Sequence, residues 1–296
     1  MCTSDGYACA DERSDWDTWS ESRERPGRQV TGSCKHLRMT VGCVAERDGV
    51  HAGCQRERRS RLAGMDAASR VRFEQDGWLL LPALLPAPAC DLLAAALCPA
   101  AGQRRSAGRR HLLAHPAVAA LACSAAIRGV VEPVLGCGAF AVRAVLFDKV
   151  PEANWRVPWH RDRLVAVRTR VPAPGFNAWS RKDGVDHVEP PAEVLERMLA
   201  LRLHLDAVHA GNGPLRVLSG SHRHADEGAV AEAEAVTIEA GQGAALLMRP
   251  LLRHASHPAA DPGHRRVLHL EFAAEDLPDG VAWKERLGIG CRGASL

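Results

Sequence analysis

Three stretches of the chain set a histidine two residues ahead of a carboxylate: His160 and Asp162 in Trp159-His-Arg-Asp162, His204 and Asp206 in Leu203-His-Leu-Asp206, and His269 and Glu271 in Leu268-His-Leu-Glu271. In extended chain, residues i and i+2 project to the same side, so each pair can offer an imidazole nitrogen and a carboxylate oxygen to one divalent ion. A single such pair is common on a solvated strand face and selects nothing by itself. What separates the three is company. His254 follows the apolar run Ala244 to Met248, and eleven residues later comes Arg265, heading the run Arg266 to Phe272. The intervening Pro258-Ala-Ala-Asp-Pro-Gly263 is turn-rich, so a strand, a turn and a strand are expected to bring His254 and Arg265 together. A metal ligand beside a fixed guanidinium suits a site that holds an ion and an anionic co-substrate. The guanidinium grips one carboxylate in bidentate fashion while the other end of the same molecule chelates.

Nearby residues compete for these roles. The offset to Arg265 favours His254 over His257, which reads as a loop histidine. His204 and Asp206 share a strand face with Arg202, opposite Leu201, Leu203 and Leu205, and Asp206 is expected to bind backbone near the turn Ala210-Gly-Asn-Gly213. His269 and Glu271 are expected to be structural, and Arg266 to point away from Arg265 as a surface or ion-pair residue.

The apolar period supplies a scaffold from Met65 onward. Helices are expected over Ala67 to Gln75, Pro86 to Leu97 and Ala117 to Leu135, with a short buried strand from Trp78. Strands follow over Ala139 to Lys149, Val157 to Val167, Leu199 to Val208, Leu215 to Leu218, Gly243 to Leu252 and Arg266 to Phe272. Helices first and strands later read as α+β, with the sheets carrying the site. Val171 to Pro191, rich in Pro, Gly and charge, reads as a long functional loop.

The chain has 296 residues, 46% hydrophobic and 25% charged, enough for a sizeable core; collagen, coiled coil and whole-chain disorder are excluded. A net charge of +3 gives no field pointing to nucleic acid or an anionic membrane. No apolar run approaches the ~20 residues of a bilayer span, and no signal peptide opens the chain, so a cytoplasmic protein is expected. The 10 cysteines form no CxxC pair and read as reduced thiols, with Cys90, Cys98 and Cys123 as small core residues on helices. Residues 1–64 carry few aliphatic side chains and an Arg-rich end, Gln55 to Arg61, so a disordered or non-native extension is expected there, with Met65 opening the folded domain over 65–296.

Taken in order, Phe73-Glu-Gln-Asp-Gly-Trp-Leu-Leu-Leu-Pro82, Trp159-His-Arg-Asp162, Asn212-Gly-Pro-Leu-Arg-Val-Leu-Ser-Gly-Ser-His222, and His254 with Arg265 resemble the phytanoyl-CoA dioxygenase family across residues 65–285. The resemblance implies a double-stranded β-helix, a jelly-roll or cupin-like barrel flanked by helices. It also implies a non-haem iron(II) oxygenase that uses 2-oxoglutarate and O2, releases succinate and CO2, and hydroxylates an unactivated C–H bond of a small molecule. Carried onto this chain, it makes His160, Asp162 and His254 the iron ligands and Arg265 the clamp for the distal carboxylate of 2-oxoglutarate. Lys149 matches a family lysine near the co-substrate, and Arg202 falls on a pocket-lining strand position. Ser219 stands where the family pattern has Pro. Halogenating relatives lack the carboxylate that Asp162 provides, so its presence implies hydroxylation.

Substrate contact is expected from Trp179 and His187 in the loop after the HxD motif. A barrel that binds a small molecule without turnover is the alternative, and substrate identity and oligomeric state are left open.

Overall fold

The computed structural model describes residues 65–97, 108–224, 228, 230 and 232–290. The extension expected over residues 1–64, together with Cys98, lies outside the described residues. Helix α1 (Ala67–Asp76) starts where the Asp66 carboxylate accepts from the Ser69 N–H at 2.8 Å, and it ends on Gly77 in the left-handed conformation. In chain order there follow β1 (Trp78–Leu81), α2 (Ala87–Leu97), β2 (Gly108–Arg109), α3 (Pro116–Ala122), α4 (Ala125–Leu135), β3 (Phe140–Lys149), β4 (Val157–His160) and β5 (Val165–Val167). Then come β6 (Asn177–Lys182), β7 (Val185–Glu189), α5 (Ala192–Glu196), β8 (Met198–His204), β9 (Leu215–Val217), β10 (Val236–Ile238), β11 (Ala245–Met248), β12 (His254–Ser256), β13 (Arg265–Ala273) and β14 (Leu287–Gly288).

The strands form three antiparallel sheets. The largest runs β1-β11-β8-β13-β3-β14, with β2 also on β3; a second runs β10-β9-β12-β4, and a third β5-β7-β6. Period two splits the large sheet into two chemistries. Leu199, Leu201 and Leu203 of β8 and Leu268, Leu270 and Phe272 of β13 pack with Phe73, Leu97, Ile127 and Val131 of the helices in one core. Each such side chain contributes roughly 1.5–3 kcal/mol on burial. The alternate residues of the same strands are Arg202 and His204, and Arg265, His269 and Glu271, all buried. They line the opposite face, where Ala200, Leu246 and Met248 pack in one cluster with Leu215 and Val217 of the second sheet and with Leu252.

Several boundaries differ from the periodicity. The helix expected over Ala117 to Leu135 is two, because the Ser124 hydroxyl caps α4 by accepting from Ile127 N–H; Cys123 is thereby exposed rather than core. Cys90 is buried on α2 as expected. The strand expected over Val157 to Val167 breaks after His160 and resumes at Val165, leaving Arg161 to Leu164 as a connection. Val171 to Pro191 is not a loop but carries the hairpin of β6 and β7. Its turn is Asp183-Gly184 with φ of 49° and 76°, the two positive values a tight two-residue hairpin turn requires. No single helix among the described residues is long and apolar enough to cross a membrane.

Two of the sequence motifs interlock. Gly220 N–H donates to Asp76 O at 2.8 Å, Trp78 Nε1 donates to Ser219 Oγ at 2.8 Å, and a Cβ at Gly77 would lie 2.3 Å from His222 Nδ1. The serine at 219 therefore accepts the Trp78 indole, a contact that proline has no group to make.

A second close approach is tighter. Gly243, at φ +83°, accepts from Leu84 and Leu85 N–H, and a Cβ there would lie 2.0 Å from the Leu85 carbonyl oxygen. Gly243→Ala is expected to destabilise the protein by roughly 3 kcal/mol or more, read as a lowered denaturation midpoint; a midpoint equal to wild type would contradict this packing.

Candidate metal centre

His160, Asp162 and His254 converge, with one ligand atom from each lying within 4.8 Å of the others. Their positions have separate causes. His160 ends β4 and His254 begins β12, and the two are directly paired across these strands, with ring centroids 4.1 Å apart. Asp162 is off the strand, so the shared strand face inferred from spacing does not place it. It is held instead by its backbone N–H donating to Pro250 O at 2.9 Å. Arg161, between the two ligands, is buried; its guanidinium donates to the carbonyls of Ser221 at 2.8 Å, His224 at 2.8 Å and Leu251. The arginine thus fastens the connection on one side while the carboxylate projects to the other.

The donor atoms suit a divalent ion. Asp162 Oδ1 lies 3.7 Å from His160 Nε2 and Oδ2 lies 3.7 Å from His254 Nε2. Those gaps are too long for hydrogen bonds and shorter than two metal–ligand bonds of ~2.1 Å. Each imidazole sets Nδ1 2.9 Å from a backbone carbonyl, Pro158 O for His160 and Leu252 O for His254. Nδ1–H therefore donates inward, and the Nε2 lone pair faces the carboxylate. Burial first, then the neighbouring His160, pushes His254 down to about 3, so its ring is neutral with that lone pair available. Burial opposes charge on Asp162, but His254 and His160 outweigh it and hold the carboxyl below its usual range.

Beside this cluster stands a cationic wall. Lys149 of β3 pairs directly with Arg265 of β13, and Arg202 of β8 pairs with His269 of β13; all four are buried. Lys149 Nζ donates to Ser256 Oγ at 3.2 Å and to His257 O, while Arg265 donates to Gly213 O. Burial, then Arg265 and Arg202, lowers Lys149 to about 7; burial and Arg202 lower Arg265 to about 10, where it stays charged at neutral pH. Further along the face, Arg202 donates to His269 Nδ1 at 3.4 Å, His269 Nε2 to Glu271 Oε1 at 3.1 Å, and Arg143 to the same oxygen at 3.0 Å. Burial works against the charge on Glu271, yet Arg143 and His269 keep its carboxyl below the ordinary range.

Arg265 is linked to β12 through its strand partner Lys149, which donates to Ser256, and not through the expected strand-turn-strand pairing: β12 belongs to the second sheet and β13 to the large one. Asp206 binds no turn backbone; it accepts from the Arg266 N–H at 2.7 Å and from its guanidinium at 2.8 and 2.6 Å, the ion pair expected of Arg266. His257 accepts from Arg216 at 2.9 Å and is outside the cluster. Trp179 is half-buried against the core of the third sheet, with Arg170 5.3 Å from its ring centre. His187 is buried on β7 with Nδ1 donating to Val185 O at 3.0 Å, and burial lowers it to about 4. No described hydrogen bond, ion pair or ring contact joins either residue to the cluster. Arg143 is the residue that sequence reasoning missed; alternation back from Lys149 through Phe147 and Val145 puts it on the same strand face.

A family model described as phytanoyl-CoA dioxygenase (PhyH) matches residues 73–267. No curated protein sequence matches significantly. Among solved structures, EctD from S. alaskensis with 2-oxoglutarate and 5-hydroxyectoine superposes with a TM-score of 0.57 at 21% identity, over 78% of this chain and 82% of its own. HygX from Streptomyces hygroscopicus, with nickel and 2-oxoglutarate bound, gives 0.52 at 14% identity over 71% and 87%. The non-heme alpha-ketoglutarate-dependent carbocyclase SnoK from nogalamycin biosynthesis gives 0.53 at 14% over 78% and 89%. At these identities the likeness is one of fold.

The geometry separates His254 from its neighbour. His160→Ala and His254→Ala are each expected to weaken binding of a divalent transition metal by about 100-fold or more, measured by competition with a chromogenic chelator. His257→Ala is expected to leave it unchanged; a weakened His257 variant beside an intact His254 variant would reverse the assignment.

Proposed function

The chain belongs to the phytanoyl-CoA dioxygenase family, and from that premise we propose that it is an iron(II)- and 2-oxoglutarate-dependent oxygenase. Its proposed reaction is hydroxylation of an unactivated C–H bond of a small organic molecule, with release of succinate and CO2. The observation that carries this reading is the convergence of His160, Asp162 and His254 beside a buried cationic wall. Two imidazoles and one carboxylate occupy one face of an octahedral ion and leave three positions for other ligands, as iron(II) oxygenases need. The two facing antiparallel sheets support a double-stranded β-helix as the barrel.

Each residue then has a task. His160 and His254 hold the metal through Nε2, and Asp162 through its carboxylate. Arg265 grips the distal carboxylate of 2-oxoglutarate, Lys149 adds charge beside it, and Arg202 lines the pocket between that end and the metal ligands. Phe147, with Arg202 5.5 Å from its ring centre and the His269 ring at 6.0 Å, covers the inner wall and keeps water from it. With iron, 2-oxoglutarate and O2 bound, the centre supplies the oxidising power for C–H cleavage. The protein's part is to orient the co-substrate and exclude stray donors. Of the two hairpin residues expected to meet substrate, half-buried Trp179 keeps that proposed role; His187, 1% exposed and tied to its own strand, is a packing residue.

Anaerobic addition of iron(II) and 2-oxoglutarate is expected to produce a weak visible charge-transfer band, and a metabolite pool to stimulate succinate release. Protein that loads iron but shows neither would refute the reading. Arg265→Ala is expected to raise the KM for 2-oxoglutarate by about 100-fold, since a charge-assisted bidentate contact is worth ~3 kcal/mol, with a smaller effect on kcat.

Lys149 adds a pH dependence. An anion beside it raises its pKa above the value of about 7 in the free site, so 2-oxoglutarate binds tightest below pH 7. Affinity is then lost as pH climbs through 7 toward the higher bound value, by up to about 10-fold per pH unit. Lys149→Met is expected to flatten that profile in anaerobic titrations; an unchanged slope would remove Lys149 from the pocket.

A further inference from the structure

Four side-chain nitrogens on the inner face of the large sheet are buried without a hydrogen-bond partner: Nε of Arg202, Nε of Arg265, and both ring nitrogens of His204. His204 is 3% exposed, and among the described residues it is the histidine with both ring nitrogens in this condition. A buried polar group left unpaired costs about 1–3 kcal/mol. Packing alone would favour leucine at this position, as at Leu203 and Leu205 on the other face of the same segment.

The strand register says why these atoms are together. His204 is paired with Val267 across β8 and β13, and Arg202 with His269. Arg265, two residues from Val267 on the same face, is therefore the diagonal neighbour of His204, while Arg202 is its neighbour along the strand. Burial foremost, then Arg202 and Arg265, lowers His204 to about 3, so the ring is neutral and carries one N–H. Three N–H groups with no acceptor in the protein thus share one wall, and a carboxylate offers about four lone-pair sites on two oxygens.

We propose that His204 is a co-substrate-binding residue: its neutral imidazole donates to the distal carboxylate of the dicarboxylate that Arg265 clamps, with Arg202 Nε completing the donor set. This rests on the 2-oxoglutarate reading above and extends it to a residue outside the motifs that carry the family resemblance. The role is to fix the anion's position with a directional, uncharged donor between two diffuse cations, which charge alone does not do.

The test uses glutarate, which keeps the distal carboxylate and chain length of 2-oxoglutarate but lacks the keto group that chelates metal. Full-length, metal-free protein with 15N-labelled histidine is titrated with glutarate, and the His204 ring resonances are followed by NMR. Glutarate is expected to shift them; saturation without a shift, or no glutarate binding by the wild type, overturns the proposal. His204→Phe keeps the volume and removes the donor, and is expected to weaken glutarate at least 10-fold. His204→Gln restores a neutral donor and is expected to recover affinity to within about threefold. In the iron-loaded enzyme, His204→Phe is expected to raise the KM for 2-oxoglutarate in parallel while kcat stays within twofold. Wild-type affinity in His204→Phe, or equal losses in both variants, overturns it. Because the NMR titration uses unsubstituted protein, a variant that fails to fold leaves the proposal testable. The anaerobic iron(II) band separates the two levels: a band in wild type without a His204 response sinks this inference alone, whereas no band sinks the reading beneath it.

Discussion

The pairing of β12 with β4 is the constraint on which the site depends. It sets His254 directly opposite His160, and a slip of one residue would turn one imidazole to the far side of its strand and dissolve the cluster. Two short strands do not hold a register unaided. Here β12 is flanked on its other edge by β9, with His254 opposite Val217, and the connection after His160 is tied down by Arg161 and by Asp162 N–H on Pro250 O. The ligand geometry is thus maintained by backbone contacts that take no part in the chemistry.

The large sheet solves a different problem. Its leucine-rich face packs on the helices and supplies the burial that holds the strands flat against them, while the reverse face carries Lys149, Arg202 and Arg265. Charges of one sign this close and this buried oppose folding, since desolvation penalises each and they repel one another. The protein relieves part of that strain internally: Lys149 has Ser256 and the His257 carbonyl, Arg265 has the Gly213 carbonyl, and Arg202 leans on His269 and through it on Glu271. What it leaves unrelieved is available to a bound anion. Binding of such a ligand and stability of the fold are then linked, because whatever pairs with these groups stabilises only the folded chain.

Two of the motifs that carry the family resemblance, Phe73 to Pro82 and Asn212 to His222, turn out to be mechanical. Asp76, Gly77 and Trp78 meet Ser219, Gly220 and His222 through a backbone hydrogen bond, an indole–hydroxyl bond and a glycine with no room for a side chain. This clasp ties the first helix and edge strand to the turn that follows β9, the strand which in turn braces β12. Arg249 extends it, donating from its backbone to Gly77 O at 2.8 Å and from its guanidinium to Glu74 at 2.8 and 2.9 Å.

From the residues alone, the α+β order and most strand positions were legible, because period-two alternation is a local signal, and the ordered motifs singled out His160, Asp162 and His254, which do converge. The split of the α3–α4 region was also written there, in Ser124 as a cap, and the β6–β7 hairpin in Asp183-Gly184; both were outweighed by the bulk composition around them. Which sheet each strand joins was not legible. Only tertiary pairing decides that His254 and Arg265 belong to different sheets, that Asp162 is aimed by a buried arginine rather than by strand alternation, and that Asp206 serves Arg266. His204 shows the reason most clearly: its spacing to Asp206 repeats at His160/Asp162 and His269/Glu271 and does not single it out. Its significance lies in the absence of any protein partner, a property of everything packed around it rather than of its own stretch of chain.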